Sequence, residues 1–401
     1  MRRKVSRPAV ALPGGTFVVV ASGYADGPSQ PFVRFLNEQG AGRVTVVTHP
    51  LVPEGPGEHW VDEYVHGEPR PRKARTLPNR PPYSYAVDPF SPLLLPKADV
   101  WVGFNCLATS QGLVRRRFGR VKRVIHWNVD FAPERFGASP VTRLYEWLDR
   151  KCVTSADGRV ELSEAAHEGR LRAYHLTPGA NRAAVIPMGS WTDDGPRCNV
   201  RCLEAPRLVF LGHLVERMGV PLVLDLAEAL RDRGRSVPID IVGGGPMLAQ
   251  LQAVTTARGL GDVVTYHGFL PDFADVQRLL AGAAIALAPY ETDESSFSRF
   301  ADPGKLKAYL GAGLPVMLTP VPPNAHEMAR EGGAQLLPPD STTFADAVVA
   351  ILDDRREWSR RHAAATEYAI RFDWGHLFTA ALPQLGILLG PGAPPDKRLA
   401  Q

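Results

Sequence analysis

The sequence predicts an α/β protein with two Rossmann-like domains. Short apolar runs of strand length alternate with runs of helical length in both halves of the chain, which is typical of βαβ units on parallel sheets. A chain of 401 residues has the length of two ordinary domains. Its content of 44% hydrophobic and 22% charged residues is typical of a soluble globular protein with an ample core.

The first half begins with a βαβ unit. Apolar runs at 16–21 and 43–48 predict strands, and the stretch 30–38 between them predicts a helix. No G-x-G-x-x-G follows either strand, which argues against a dinucleotide-dependent enzyme. Residues 66–96 are rich in Pro and Arg without a helical period, and they predict a long surface excursion. The other elements expected here are strands within 98–104, 123–128, 155–163 and 184–188, a helix following the stretch 105–112, and a loop then a helix within 131–151.

The second half repeats the alternation with sharper boundaries. The strands expected there are 208–211, 239–242, 263–266 and 285–288, and the helices expected are one ending near 230, then 247–258 and 273–282. Gly212, Gly243–Gly245 and Gly268 follow three of these strands. Ligands of parallel sheets bind at the carboxyl ends of the strands, where glycine admits a close backbone approach and helix N-termini favour anions. The pattern therefore predicts a site for a phosphorylated, nucleotide-bearing ligand.

Five motifs of this half carry a family resemblance. FLGHLVERMGV, IVGGGP, YHGFLPD, APY and ADPGKLKAYLGAGLPV occur in this order from residue 210 to residue 316. They resemble the donor half of retaining GT-B glycosyltransferases, in the family 4 or glycosyl transferases group 1 superfamily. The resemblance implies the GT-B fold, with two Rossmann-like domains facing each other across a cleft. It further implies transfer of a hexose-type sugar from a nucleotide-diphosphate sugar to a small-molecule or lipid-linked saccharide acceptor.

The resemblance also implies a division of the chain. The expected segments are an acceptor-side domain at 1–190, a linker at 191–205, a donor domain at 206–367, a terminal helix at 368–390 that crosses back to the first domain, and a disordered tail at 391–401. The substrate would be the nucleotide sugar itself, and no bound cofactor or metal is expected. Cys198 and Cys202 have a spacing that suits half of a metal site, but no second pair lies near them in the sequence.

The donor site is where this chain departs from its apparent relatives. Those proteins place an Arg and a Lys after the first donor strand, where this chain has His213 and Met218. Arg217 is a candidate replacement for the lysine. The Glu that grips the ribose in relatives is Ala308 here, and the upstream acidic position is Phe300. The residues that we expect to bind the donor are Gly212, His213, Arg217, Gly245, Pro246, Phe269, Asp302 and Lys305.

Two charged residues of the last motif have open roles. Lys305 is the better candidate for a phosphate ligand, whereas Lys307 is expected to be merely exposed on the same helix. Asp302 precedes a helix start, so it is either an N-cap residue or a ligand of the donor sugar. Glu291, Asp293 and Glu294 are the other nearby carboxylates.

In the first half, the resemblance singles out a strand end and a loop. His126 or Asp130 would contact donor hydroxyls near the reacting carbon, although a histidine at a strand end is as often a hydrogen-bonded structural residue. Gly23, in the loop 22–27, and Asn105 are the acceptor-side candidates. No general base is nominated, because the leaving phosphate is thought to serve retaining relatives in that role.

Charge and composition leave two further questions open. The run 114–123, VRRRFGRVKR, is the strongest basic cluster. It is either the solvated end of a helix or a contact for an anionic membrane surface or a phospholipid-linked acceptor. We expect a cytoplasmic protein, with peripheral contact to the inner face of the plasma membrane as an option. A net charge of only +4 gives no support to nucleic-acid binding.

Because three donor positions are altered, an alternative function stays open. The alternative is a non-catalytic GT-B protein that binds a sugar nucleotide or supports a partner glycosyltransferase.

Overall fold

The computed structural model describes residues 9–22, 27–50, 58–76, 95–129, 131, 140–177, 182–192, 195–292 and 302–390. The chain divides into two compact units, Met1–Pro187 with Trp374–Gln401 and Met188–Asp373. The boundaries between the two units fall after residues 187 and 373, whereas the sequence predicted domain limits at 190 and 367. Gly23, Asp130 and the tail 391–401 lie outside the described residues. In the part of the chain that is described, no helix has the length and apolar character needed to cross a membrane.

The first unit is built on a mainly parallel sheet. Its strands before residue 187 are β1 (Val10–Ala11), β2 (Thr16–Ser22), β3 (Arg43–His49), β4 (Glu58–Val65), β5 (Glu68–Pro69), β6 (Lys73–Thr76), β7 (Ala98–Gly103), β8 (Val121–Trp127), β9 (Gly158–Glu161) and β10 (Ala183–Val185). Its helices there are α1 (Ser29–Glu38), α2 (Cys106–Arg117), α3 (Pro140–Ser155) and α4 (Glu164–Ala173). The strand order is β10-β9-β8-β7-β2-β3-β4-β5, and β6 also pairs with β4, over residues 58–61, on the same edge as β5.

Two sequence expectations for this unit need correction. The segment 66–96 was expected to be a surface excursion, but β5 and β6 lie within it and pair antiparallel with β4. β5 and β6 are only two and four residues long and contain Glu, Pro, Lys and Arg, so no alternation of apolar residues marks them as strands in the sequence. The stretch 105–112 was expected to precede a helix, but α2 begins at Cys106, directly after Asn105.

The basic run 114–123 is not a uniformly solvated surface. Arg115 is buried and donates to the carbonyls of Leu95 and Pro96 at 2.8 and 2.9 Å. Arg123 is also buried, and it donates to the carbonyl of Leu385 at 3.0 Å. These long side chains therefore donate hydrogen bonds to backbone carbonyls, as buried polar groups generally do. Much of this charge therefore belongs to the structure of the unit.

The second unit carries the better predicted elements. Its strands are β11 (Leu208–Leu211), β12 (Ile239–Val242), β13 (Val264–Gly268), β14 (Ile285–Ala288), β15 (Val316–Leu318) and β16 (Gln335–Leu336). Its helices are α5 (Val220–Asp232), α6 (Leu248–Ala257), α7 (Phe273–Ala281), α8 (Gly304–Gly311), α9 (Ala325–Glu331), α10 (Ser341–Asp353) and α11 (Arg355–Ala369). The chain then returns to the first unit with α12 (Trp374–Ala381) and β17 (Ile387–Leu388).

All neighbouring strands of the second sheet are parallel, in the order β13-β12-β11-β14-β15-β16. The central strands β11, β12 and β14 are almost wholly buried, which is why β11 and β14 are continuous apolar runs and β12 is interrupted only by Asp240. The order steps from β12 through β11 to β14, so the chain reverses its winding direction at β11. In open parallel sheets, such a switch point leaves a crevice at the carboxyl ends of the strands.

The last helix of the chain packs within the first unit through aromatic rings. Phe378 of α12 lies edge-on to Phe32 and Phe35 of α1, with ring centroids 5.4 and 5.2 Å apart. Trp127, at the end of β8, stacks on Phe104 with centroids 4.7 Å apart. Aromatic rings bury large apolar areas, so this cluster ties the C-terminal helix to the N-terminal sheet.

Candidate functional site

Three glycine turns meet at the carboxyl edge of the second sheet. The N–H of Gly212 donates to the carbonyl of Val242 at 2.9 Å, and the N–H of Gly243 donates to that of Gly268 at 2.8 Å. Gly243 has a φ of 137°, and a Cβ at this position would lie 1.9 Å from the carbonyl oxygen of Gly212. The turns that follow β11, β12 and β13 are therefore packed backbone against backbone, which only glycine permits here.

The second turn continues this contact towards α6. Leu214 donates its N–H to Gly244 at 2.8 Å. A Cβ on Gly245, whose φ is 156°, would lie 2.5 Å from the carbonyl of Leu214. His213 and Pro246 are exposed beside these turns. The predicted donor residues of the first two turns therefore lie together on one surface of the sheet edge.

Lys305 brings a cation to the same edge. Its Nζ lies 4.6 Å from the ring centroid of Phe210 and 4.2 Å from that of Tyr290. It also lies 3.9 Å from the sulfur of Met218. A Cβ on Gly212 would be only 3.7 Å from this Nζ. The ammonium group of Lys305 thus lies against the first glycine turn and next to Met218. Met218 is the position at which relatives of this chain were expected to carry lysine.

The surroundings of Lys305 favour its neutral form. Burial lowers the pKa of Lys305 to about 7, and no salt bridge to a carboxylate of the described chain offsets it. Aromatic faces attract a cation, but each contributes only about 0.5–2 kcal/mol. An anion placed at the glycine edge would restore the charge, because an opposite charge within a few ångströms favours the ionised form.

Arg217 lies on a short 3₁₀ turn, Glu216–Met218, that follows the first glycine turn. Its carbonyl accepts the N–H of Glu291 at 3.2 Å. Glu291 comes shortly after β14 and is exposed. The backbone thus holds a cation and a carboxylate near the ends of two adjacent strands.

Both carboxylate oxygens of Asp302 are engaged in local structure. One carboxylate oxygen accepts the N–H of Met188 at 2.6 Å, and the other pairs with Lys307. The N-cap position of α8 is Pro303, without a side-chain cap. The N-cap hypothesis is therefore wrong, and the pairing of both oxygens leaves the donor-ligand hypothesis without support.

Lys307 was expected to be exposed, and this too is wrong. Its side chain is buried, pairs with Asp302 and lies over the ring of Phe372 at 4.5 Å. A buried charge needs such a partner, because desolvation would otherwise cost several kcal/mol, on the order of the Born penalty after relaxation. Of the two lysines of α8, Lys305 is the one that faces the glycine edge.

Phe269 is the most exposed of the large apolar side chains at this edge, at 70%. A Cβ on Gly244 would lie 3.7 Å from the Cβ of Phe269, so the ring stands beside the second glycine turn. The neighbouring His267 contacts Asp240 at 2.7 Å, and Arg207 forms two hydrogen bonds to the same carboxylate. Although burial acts against it, these bonds lower the pKa of Asp240. The third turn is thereby anchored to the middle of the sheet.

Two residues of this site were missed in the sequence. Tyr290 is buried, and its ring faces Lys305. Tyr309 accepts the N–H of Leu211 at 2.7 Å and donates to the carbonyl of Leu287 at 3.1 Å, so it ties α8 to β11 and β14. The available signals were the APY motif, which contains Tyr290, and the last motif, which contains Tyr309.

In the first unit, His126 is fully buried. One ring nitrogen contacts the hydroxyl of Thr109 at 2.7 Å, and the other contacts Asp149 at 3.1 Å. Asp149 also pairs with Arg170 and accepts from Tyr174 at 2.6 Å. Although burial opposes it, Arg170 and these hydrogen bonds lower the pKa of Asp149 to about 2. Both ring nitrogens are engaged, which favours the structural alternative for His126.

Asn105 is engaged in local structure as well. Its side-chain oxygen accepts the N–H of Ala108 at 2.7 Å and so caps α2. Its side-chain amide donates to the hydroxyl of Ser22 at 2.9 Å. Asn105 therefore holds the end of β2 near the start of α2, whereas Gly23, the next residue along, is outside the described chain.

A metal site is not evident in the described ranges. No group of three or more His, Cys, Asp or Glu side chains in them could hold an ion. Cys198 and Cys202 are free thiols whose pKa values are raised by burial.

Comparisons with known proteins identify the fold as GT-B. Residues 205–354 match the family model of Glycosyl transferases group 1. Sucrose-phosphate synthase from Thermosynechococcus elongatus superposes with a TM-score of 0.67 at 17% identity, over 92% of this chain and 97% of that one. Anabaena HepE, solved with UDP and glucose, gives 0.64 at 15% identity over 93% and 100% of the two chains. WaaG, a glycosyltransferase involved in lipopolysaccharide biosynthesis, gives 0.63 at 18% identity over 91% and 98%.

One curated relative is similar in sequence. Alpha-D-kanosaminyltransferase of Streptomyces kanamyceticus is 28% identical over 133 residues, which cover 31% of this chain and 34% of the relative. The aligned stretch thus spans about a third of that protein. Together the comparisons confirm the predicted GT-B fold and the resemblance to the glycosyl transferases group 1 superfamily, and they support the glycosyltransferase class.

Proposed function

We propose that this protein is a retaining glycosyltransferase that moves a hexose-type sugar from a nucleotide-diphosphate sugar to a small-molecule or lipid-linked saccharide acceptor. The observation that carries the proposal is the position of Lys305, whose ammonium lies against the Gly212 turn without a carboxylate partner among the described residues. Support also comes from the family match at 205–354 and from HepE, which was solved with UDP and glucose.

The chemistry that this edge would perform is charge stabilisation. A glycosyl donor of this class loses a nucleoside diphosphate, so negative charge grows on the leaving oxygen as the glycosidic bond breaks. Lys305 supplies a cation near the glycine edge, and the N-terminus of α8 adds the positive partial charge of the helix dipole. Preorganised donors of this kind are usually the largest single contribution to catalysis. Arg217 is the second cation that we assign to the diphosphate.

The nucleoside half of the donor would lie on the other glycine turns. Phe269 offers an exposed ring beside Gly244, and aromatic rings stack on bases of any identity. Because Ala308 cannot grip ribose hydroxyls, we assign that role to Glu291, an exposed carboxylate shortly after β14. We expect the donor to be the substrate, with no bound cofactor.

The acceptor and the location of the enzyme are broader assignments. We place acceptor binding in the first unit, whose half of the chain is the more basic one, with 27 Lys and Arg against 19 Asp and Glu in residues 1–200. A cytoplasmic enzyme with peripheral contact to an anionic membrane surface fits a lipid-linked acceptor. The name of the kanosaminyltransferase relative favours decoration of a secondary metabolite instead.

Thermal stabilisation by nucleotide sugars tests the proposal. The purified protein would be melted with UDP-, GDP-, dTDP- and ADP-sugars, and a ligand at a hundred times its Kd should add ~2.7 kcal/mol of stability. We expect one nucleotide to raise the midpoint, and Lys305→Ala and Arg217→Ala to abolish the shift. Arg278→Ala, which removes an exposed arginine of α7, is the matched control and should keep it. No shift with any nucleotide would refute the donor site.

A non-catalytic sugar-nucleotide-binding protein is the second candidate. The observation in its favour is that Asp302 is occupied by Lys307 and the Met188 N–H, while Ala308 offers no carboxylate. Product formation separates the two. A nucleotide sugar that stabilises the protein but is not turned over with any saccharide or lipid-linked acceptor, and is not hydrolysed, would favour this candidate.

A further inference from the structure

Helix α3 (Pro140–Ser155) of the first unit exposes apolar side chains on one side. Val141, Leu144 and Trp147 are 61%, 64% and 56% exposed. Residues three apart in a helix are neighbours on its surface, so these three form a continuous stripe. Soluble proteins rarely leave a large aromatic ring and two aliphatic side chains together in water unless a partner covers them.

The stripe is bordered by positive charge alone. Arg143, Arg150 and Lys151 are exposed on the same helix, and none of the three forms a salt bridge with a residue that the structure describes. Of the two carboxylates of α3, Asp149 is buried in its ion pair with Arg170, and Glu146 is half-buried. The exposed side of the helix thus combines apolar and cationic groups without an exposed carboxylate.

The end of α2 extends this surface. Arg116 of α2 donates to the carbonyl of Ser155 at 2.9 Å, so the C-terminal ends of α2 and α3 lie side by side. Beside this junction, Arg117 is exposed and Phe118 is 69% exposed. An exposed aromatic ring and a fourth exposed cation therefore lie near the C-terminal end of α3. We call the stripe and the three cations of α3 the α3 face.

We propose that the α3 face lies on an anionic lipid bilayer, with Trp147 and Leu144 inserted among the headgroups. An interfacial helix has an apolar side carrying Trp or Leu and a polar border rich in Lys and Arg, which is what this helix presents. Charge complementarity selects this occupant, because a second copy of the face would bring like charges together. The donor site plays no part in the argument.

Vesicle binding tests the proposal directly. The full chain would be sedimented with vesicles of phosphatidylcholine alone and of phosphatidylcholine with about 30% phosphatidylglycerol, which gives the surface a negative potential. We expect binding to the anionic vesicles only, weakening as salt rises because surface charges are screened. Lys151→Ser and Arg143→Ser should each weaken binding about fivefold, since a basic residue near an anionic surface contributes roughly that factor.

The apolar part is tested with Leu144→Ser/Trp147→Ser. This variant should lose vesicle binding, whereas Leu388→Ser, which removes a comparably exposed side chain of β17, should bind as the unaltered protein does. All five substituted side chains are exposed, so melting midpoints should stay within a few degrees and confirm folding.

Three outcomes would overturn the proposal. They are no binding to the anionic vesicles, equal binding to both vesicle types, and unchanged binding by the double variant. A dimer that dissociates when Leu144 and Trp147 are replaced would identify a second copy as the occupant and would likewise refute the lipid assignment. Because the readout is vesicle binding, a failed donor-site experiment would leave this one untouched.

Discussion

Replacing Lys305 with methionine tests the proposed donor site through its pH dependence. In the free protein, burial lowers the pKa of Lys305 to about 7, whereas a bound diphosphate would return it towards the ordinary value of ~10.4. Donor binding must then take up a proton at high pH. With a free-state pKa of about 7, the charged fraction falls from about 0.9 at pH 6 to about 0.03 at pH 8.5, so affinity should drop about thirtyfold.

The assay is calorimetric titration with the nucleotide sugar that stabilises the protein, at pH 6 to 8.5, in two buffers of different ionisation enthalpy. The affinity of the unaltered protein for the donor should fall by about this factor as the pH rises. Binding at pH 8.5 should be accompanied by the uptake of close to one proton. Lys305→Met should bind about ten- to a hundredfold more weakly at pH 6, since a charged hydrogen bond contributes ~1.5–3 kcal/mol. The donor affinity of Lys305→Met should also not fall between pH 6 and 8.5.

The same group affects the stability of the free protein. Between about pH 7 and 10 an unfolded lysine keeps its proton while folded Lys305 has lost it, so the free energy of unfolding should rise with pH. The free energy of unfolding of Lys305→Met should lack this rise, so the difference between the two proteins should change with pH over this range. A donor affinity that does not change with pH, or a slope that persists in Lys305→Met, would refute the assignment of this lysine to the diphosphate.

Three further substitutions probe the framework. Gly243→Ala should abolish donor binding and cost at least ~1–3 kcal/mol through backbone strain, while Gly261→Ala, whose added Cβ meets nothing within 4 Å, should leave both melting and binding unchanged; equal effects would contradict the close packing of the turns. Asp302→Ala should destabilise the protein by ~3–5 kcal/mol in chemical denaturation, because Lys307 would stay buried without its partner; a loss below 1 kcal/mol, on the order of an exposed pair, would show that the pair is not buried. His126→Gln should cost ~1–3 kcal/mol of stability without changing donor affinity in the thermal assay, and a specific loss of turnover with stability intact would restore the catalytic alternative.

Much of the second unit could be predicted from local pattern. The strands Leu208–Leu211, Ile239–Val242 and Ile285–Ala288 were placed residue for residue, because strands buried on both sides are mostly apolar and glycines end two of these. The glycine edge followed from the same pattern. In the first unit, the hairpin strand Lys73–Thr76 escaped prediction, since its sequence KART has no apolar run to mark it.

The individual charges were beyond the reach of the sequence. Lys305 and Lys307 are two residues apart on one helix and look alike in the sequence, but positions two apart point to different sides of a helix. One reaches the rings of Phe210 and Tyr290, and the other is buried against Asp302.

The order of the glycine turns and of the buried strands that precede them was therefore determined by the sequence alone, because it depends on the hydrophobic pattern of neighbouring residues. Only the tertiary structure decided which cation faces the ligand edge. It also decided that His126 is buried between Thr109 and Asp149. Burial and pairing of a charge depend on residues far apart in the chain, and no local pattern records which of them will meet.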